Sequence, residues 1–271
     1  MYNNLIDRFS IVKGIIMIKK EKYPILEFDD NKDAIINPSL LQSKYGVLKI
    51  NKLIITFFKD AVNMLLEDGK IKEYLVLSGE NELVLYKFVD DDVLLMHGII
   101  GCPACAGFMD ELTGIGITNV MFCGGGGVLD KNIKVGELLV VEGAIRDEGF
   151  SYHYVKPSRI IYSQEDVRNL ICSYLKDNHI PYIQGLTWTT DAFYRETKDK
   201  ILLRKEEGAK IVEMEQSGCI AVTQFRKIKY GAIIYAGDDV SQDVWDKRSW
   251  RDRKSIRYSL IEICKDLVKI I

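Results

Sequence analysis

Glu213 and Glu215 flank Met214 in the stretch Ile211-Val212-Glu213-Met214-Glu215-Gln216-Ser217-Gly218, with apolar residues before the acids and small ones after. Read as a buried strand entering a helix, this run sets two carboxylates at the turn. Burying an unpaired carboxylate is expensive. Such a pair therefore either binds something or sits in solvent at the positive end of the helix dipole. If it binds, two carboxylate oxygens can accept from two neighbouring hydroxyls at once, the pattern of a ribose diol.

Three further stretches carry chemistry-bearing side chains. Gly237-Asp238-Asp239-Val240-Ser241 follows the apolar run Ile233 to Ala236. A carboxyl there serves as a general acid if its surroundings raise its pKa; otherwise Asp239 or Ser241 caps a helix. Gly185 to Tyr194 interleaves hydroxyls with aromatics, and Trp188 is either a flat face for a planar ligand or a core residue. Cys123-Gly124-Gly125-Gly126-Gly127 either brings backbone N–H groups up to an anion or a sugar, or makes a tight packing turn. It has neither the G-x-G-x-x-G spacing nor the Lys-Ser/Thr of a phosphate loop. Cys102-Pro103-Ala104-Cys105 has redox spacing, but no second pair accompanies it to hold zinc.

The elements that must position these groups follow from periodicity. Residues 1–22 read as a loose lead-in and Pro24 to Phe28 as a short strand; Val62 to Lys72 has helical spacing. Tyr74 to Gly79, Leu83 to Val89 and Val93 to His97 read as strands between turn residues. Ala104 to Ile115 and Gln164 to Asn178 read as helices. Val120 to Cys123, Leu138 to Ile145, Ile180 to Thr187 and Ile233 to Ala236 read as strands, and Ser241 as the cap of a last helix. Alternating strands and helices predict an α/β fold with a largely parallel sheet, in one domain over residues 1–271. Ligands in such folds meet the carboxyl ends of strands.

The 271 residues are 47% apolar and 28% charged, with a net charge of −2. That balance offers no footing for nucleic acid or an anionic membrane. Asp7 and Arg8 interrupt the N-terminal apolar residues, and Ile11 to Ile18 is too short to span a bilayer. A cytoplasmic protein with reduced cysteines (Cys102, Cys105, Cys123, Cys172, Cys219 and Cys264) is expected.

In chain order these motifs resemble the nucleoside phosphorylase family, which includes purine nucleoside phosphorylases, uridine phosphorylases and methylthioadenosine/adenosylhomocysteine nucleosidases. His97 to Cys105 is similar to the family's Gly-x-Gly-x-Pro-Ser segment, and Val120 to Leu129 to its strand and glycine-rich loop. Gly143 to Tyr154 resembles a segment of the uridine-phosphorylase-like branch, and Trp188 to Tyr194 the base-stacking loop. Val212-Glu213-Met214-Glu215 resembles the ribose-binding signature, and Gly237-Asp238 falls where the catalytic aspartate belongs. The resemblance implies one three-layer α/β domain whose mixed sheet curls partly into a barrel flanked by helices. It also implies cleavage of a nucleoside N-glycosidic bond through an oxocarbenium-like transition state. In that scheme Asp238 protonates or hydrogen-bonds the leaving base, Glu215 holds the ribose hydroxyls and Met214 packs on the sugar. Glu213 lies by the base or ribose, Trp188 stacks on the base, and Gly124 and Gly125 line the substrate. No metal or cofactor is implied beyond phosphate as co-substrate. A homo-oligomer, dimer or hexamer, is implied, with Tyr152, His153 and Tyr154 near a subunit boundary.

The departures concern the nucleophile. The family's phosphorylases bind phosphate through a Gly-Asp-Pro-x-x-Arg loop, an arginine before the glycine-rich loop and a hydroxyl within it. Here the first reads Phe28-Asp29-Asp30-Asn31-Lys32-Asp33, Met121 takes the place of the second arginine and Gly124 that of the hydroxyl. Charge-assisted hydrogen bonds contribute about 1.5–3 kcal/mol each, so two lost arginines cost roughly 3–6 kcal/mol, about a hundred- to ten-thousandfold in affinity. Lys32, Arg146 or an arginine between Arg248 and Arg253 could substitute. A nucleosidase would instead orient water, with Asp29 or Asp30 as base, and a catalytically silent nucleoside-binding protein would need neither. Arg195-Glu196-Thr197-Lys198-Asp199 lacks the Gln and Arg that read uracil.

Overall fold

The computed structural model describes residues 18–249 and 254–271, so most of the expected lead-in, and the arginines at 251 and 253, lie outside the described residues. The chain enters through two 3₁₀ turns, Pro24–Leu26 and Pro38–Leu41. Each opens on a proline, whose fixed φ suits a first helical position. The strand expected over Pro24 to Phe28 is therefore a turn.

A single helical turn, α1 (Gln42–Tyr45), leads to β1 (Lys52–Thr56), α2 (Lys59–Glu67), β2 (Ile71–Leu77), β3 (Leu83–Phe88) and β4 (Leu94–His97). Then come α3 (Cys102–Gly114), β5 (Asn119–Val128), β6 (Leu138–Asp147), a 3₁₀ turn at Ser151–His153, β7 (Ile160–Tyr162), α4 (Glu165–Asp177) and β8 (Tyr182–Thr190). A 3₁₀ turn at Phe193–Arg195, α5 (Lys198–Glu206), β9 (Ala209–Glu213), α6 (Gln216–Arg226), β10 (Lys229–Asp239) and α7 (Lys254–Ile270) complete the chain.

All ten strands among the described residues belong to one mixed sheet. The path β10-β6-β8-β9-β5 closes on itself because β10 also pairs in parallel with β5, making a five-stranded barrel. From β5 the sheet continues outward as β1, β4, β3 and β2. Side-chain alternation along β5 divides the core. Val120 and Phe122 pack with Ala106, Met109 and Ile220 under α3 and α6, while Met121 and Cys123 pack with residues of α2, α4 and α7. The three-layer α/β architecture with a partial barrel, expected from the resemblance, is what the chain adopts.

The glycines behave differently from the loop anticipated. Gly124 to Gly127 continue β5 without a break. A Cβ on Gly126 would lie 2.5 Å from the Val212 carbonyl oxygen, and one on Gly125 2.9 Å from the Tyr235 ring. The run is glycine because β9 and β10 cross β5 at close quarters. The pairing also leaves an opening. Along one edge of β5, β1 pairs as far as Thr56 opposite Cys123, and β9 joins only at Val212 opposite Gly127. Gly124, Gly125 and Gly126 thus face a gap in that ladder, at the carboxyl end of β1. The last helix is described over Lys254–Ile270, and Ser241, its expected cap, instead donates its amide to Asp239 in a turn.

Candidate active site

The two acids of Glu213-Met214-Glu215 are both buried but do different work. Glu213 ends β9, and its Oε2 accepts the backbone N–H groups of Glu215 at 2.6 Å and Gln216 at 2.7 Å. Its Oε1 accepts the Thr189 hydroxyl at 2.5 Å, and the Thr189 oxygen in turn accepts the Ser217 amide at 3.0 Å. Glu213 is consumed in capping α6, the dipole role open to it from sequence. All its bonds are to its own helix start and to β8. Burial raises its pKa to about 7 against the pull of those donors.

Glu215 has fewer partners. Its Oε1 accepts the Gly101 amide at 2.8 Å, at the entry to α3, and its Oε2 meets the Met214 amide at 3.3 Å. Burial, then the charge of Glu213, pushes it up to about 8. A third carboxylate, Glu148 just past β6, accepts the Ser151 amide at 2.9 Å and the Ser151 hydroxyl. Burial and the charges of Glu148, Glu213 and Glu215 together raise the Cys102 thiol. Three buried acids thus surround one point at the start of α3. Glu148 lies in a segment already singled out, Gly143 to Tyr154, but nothing in its spacing distinguished it from its neighbours. Cys102 and Cys105 are free, buried and raised in pKa, which makes them poor nucleophiles.

Asp238 stands at the end of β10. Asp239 pairs with Asp246 through both backbone N–H···O bonds, so residues 240–245 form a closed loop that brings Trp245 back over Asp238. The Trp245 indole donates to Asp238 Oδ2 at 2.6 Å, and the ring remains half exposed. Lys198, opening α5, is ion-paired with Asp243 and ties this loop to the segment after β8. In that segment lies Glu196, half-buried, whose pKa burial and the Asp238 charge raise to about 7.

Trp188 is not at this surface. It is wholly buried among Leu129, Ile145, Ile201, Ala209 and Val212, with its indole donating to Asp147 at 3.1 Å. Alternation along β8 sends Thr189 toward Glu213 and Trp188 to the opposite face, so the expected base-stacking role is overturned in favour of a core residue. Trp245, which the sequence did not single out, is the exposed indole among the described residues.

The expected nucleophile region is also rearranged. Asp29 and Asp30 are exposed, and Lys32 sits 3.5 Å over the Phe225 ring at the last turn of α6. Glu215 is at the other end of that eleven-residue helix, roughly 15 Å away at 1.5 Å per residue. Met121 is buried on the α4 face of the sheet; its neighbour Phe122 faces Gly124. The segment at the mouth of the ladder gap, at the carboxyl end of β1, is Phe57-Phe58 leading into Lys59, rather than Phe28 to Asp33. The Phe57 ring covers Gly98 and lies tilted by 45° at 5.4 Å from the Phe122 ring. Among the described residues at this end are Lys59, exposed at the start of α2, and His97, whose pKa burial and Lys59 depress. Arg146 is occupied by Ser151, Ser158 and the Lys156 carbonyl, and Arg248 by the Ile133 carbonyl. Tyr152 and Tyr154 hydrogen-bond within the chain, to the Arg146 carbonyl and to Asp110.

A family model described as the phosphorylase superfamily matches residues 52–263. A guanosine phosphorylase from Halorubrum lacusprofundi is 25% identical over 193 residues, covering 63% of this chain and 80% of that protein. Among solved structures, a uridine phosphorylase from Vibrio fischeri superimposes with a TM-score of 0.66 at 23% identity, covering 83% of this chain and 91% of that one. An AMP nucleosidase from Bacteroides thetaiotaomicron gives 0.65 at 21%, covering 81% and 87%. Phosphorolytic and hydrolytic enzymes thus share this fold.

Proposed function

The chain belongs to the phosphorylase superfamily, and we propose that it cleaves the N-glycosidic bond of a ribonucleoside with phosphate as nucleophile. The observation that carries this reading is Glu215, a buried carboxylate with one strong donor, set at a strand-to-helix turn beside the gap in the β5 ladder. Its spare lone pairs suit the two ribose hydroxyls. Each such bond to a charged group contributes about 1.5–3 kcal/mol, which also offsets the cost of burying the charge.

The reaction builds positive charge on the sugar and negative charge on the base. Glu215, ionised when the sugar is bound, supplies negative potential at the sugar, where it acts most strongly on the charged transition state. Met214 packs against the ribose, and Gly124 and Gly125 admit substrate along the open edge of β5. The Asp238 end of the site receives the base. Lys59, in the first turn of α2, is the cation placed to meet phosphate.

Hydrolysis is the second reading, favoured by the apolar rings of Phe57 and Phe122, which lie against Gly98 and Gly124 at the gap. Base release from a panel of ribonucleosides, with and without phosphate, tests both. Phosphate-dependent release with ribose 1-phosphate as product is expected. Release unaffected by phosphate, with free ribose, would replace phosphorolysis by hydrolysis, and no release from any nucleoside would overturn the proposal.

A further inference from the structure

Two tryptophans donate to carboxylates at strand ends, and the two pairs are built differently. Trp188 is wholly buried, and the Asp147 oxygen that accepts its indole also takes Lys200 and Arg204. Trp245 is half exposed, and its indole N–H meets Asp238 Oδ2 at 2.6 Å. The half-buried Asp238 carboxylate accepts no second side-chain bond and pairs with no cation among the described residues. An exposed indole adds little to the core, so the effect of this bond falls on the carboxylate.

The chain around Trp245 holds the contact in place. Asp239 and Asp246 exchange backbone bonds at 2.8 and 3.1 Å, which closes residues 240–245 and sets Trp245 beside the end of β10. Beyond the bridge, Arg248 donates to the Ile133 carbonyl at 2.8 Å and anchors the exit of the loop. Lys247 stands 5.2 Å from the centre of the indole ring, a cation–π distance. The exposed Lys198–Asp243 ion pair adds a weaker tie to the segment after β8.

Resting on the glycosidic-cleavage reading above, we infer that Trp245 is the positioning residue of Asp238, holding Oδ2 so that Oδ1 meets the leaving base. An indole nitrogen can only donate. While it donates to Oδ2, a carboxyl proton on Asp238 sits on Oδ1, since a protonated Oδ2 is a poor acceptor. As the C1′–N bond breaks, its electron pair goes to the base and the Oδ1 proton passes to a base atom. The nucleophile's oxygen bonds to C1′; the proton it loses to solvent balances the one Asp238 regains. The Trp245 bond strengthens as Asp238 becomes charged, because bonds to an ionised acceptor are about twice as strong as neutral ones. It therefore favours the transition state over the bound substrate.

The test compares wild type with Trp245→Phe, which keeps an aromatic ring and removes the N–H. Two substrates are used: a natural ribonucleoside, and 4-nitrophenyl β-D-ribofuranoside, whose nitrophenolate leaves without a proton. Trp245→Phe should lower kcat on the nucleoside roughly five- to thirtyfold. Its KM should move by less than about twofold, and kcat on the nitrophenyl riboside should stay near that of wild type. Equal loss on both substrates, or a loss carried in KM rather than kcat, would overturn the inference. So would undiminished nucleoside turnover, or faster turnover, which would make the indole a plug over Asp238. Wild type inert toward every ribonucleoside would instead remove the glycosidic-cleavage reading, and the inference with it. The contact itself is read without turnover. In ¹H–¹⁵N spectra the indole resonance that disappears in Trp245→Phe should move upfield in Asp238→Ala, where its acceptor is gone; an unmoved resonance would overturn the assignment.

Discussion

Glu215 Oε1 accepts the backbone N–H of Gly101 at 2.8 Å, joining the turn between β9 and α6 to the start of α3. This one bond sets the carboxylate's direction and leaves its other lone pairs for a ligand. Glu215→Gln keeps the acceptor for Gly101 and removes only the charge. If the carboxylate holds the ribose diol, kcat/KM should fall about 10²–10⁴-fold, the loss of two charge-assisted bonds of about 1.5–3 kcal/mol each. The unliganded protein should meanwhile gain stability, because a buried charge has gone. A gain of about 1 kcal/mol would raise the unfolding temperature roughly 2–4 °C. Steady-state kinetics and thermal unfolding at pH 8 check both halves.

The same burial predicts the pH dependence of stability. Glu213 and Glu215 have folded-state values of about 7 and about 8 against an ordinary 4.5. Between 4.5 and 8 the folded chain therefore holds more protons than the unfolded one, and stability falls as pH rises. The unfolding midpoint without ligand should decline from pH 5 to pH 8.5, and Glu215→Gln should flatten the decline. A midpoint that climbs steadily across that window would contradict the burial assigned to these acids.

Trp188→Phe separates packing from recognition. The indole is wholly buried and its N–H shares Asp147 with Lys200 and Arg204. The change should cost about 1–3 kcal/mol through the lost bond and the void it leaves, while KM for nucleoside stays within about twofold. Chemical denaturation and kinetics on the same preparation distinguish this from a stacking role, which would raise KM with little loss of stability.

How much was legible in advance follows from these particular residues. Glu215 and Asp238 stood out because an acid next to an apolar run is costly without a purpose, and the ends of β9 and β10 followed from their apolar content. Periodicity could not say which face of β8 carries Trp188, because the residues on both faces are buried: Thr187 and Thr189 are covered as fully as Trp188. Lys52 and the following Phe-Phe-Lys blur the borders of β1, so the segment at its carboxyl end leaves no clear sequence signal. Trp245 reaches Asp238 only through a tertiary link, the Asp239–Asp246 bridge, which leaves no local pattern.

Gly126→Ala tests the reading of the glycine run as a close crossing. The added Cβ would stand 2.5 Å from a backbone oxygen, that of Val212, and 2.4 Å from the Ile211 side chain. Backbone cannot swing aside as a flexible side chain can, so the β5–β9 pairing must open, at about 3 kcal/mol or more. Denaturant unfolding should show a lower midpoint. An unchanged midpoint would mean the strands have slack that the structure does not contain.

Lys59→Met addresses the nucleophile. Lys59 heads α2 at the mouth of the ladder gap, in the first turn after β1, and its side chain makes no ion pair or hydrogen bond among the described residues. Methionine keeps the length and removes the charge, so a phosphate held there loses one charge-assisted contact of about 1.5–3 kcal/mol, and its KM should rise roughly ten- to a hundredfold. The KM for nucleoside should hardly move, since Glu215 and the base end lie across the gap. Phosphate saturation curves at fixed nucleoside measure this directly. If turnover proves independent of phosphate in both wild type and Lys59→Met, the lysine has no anion to hold, and the aromatic pair Phe57 and Phe122 then marks a water-using site.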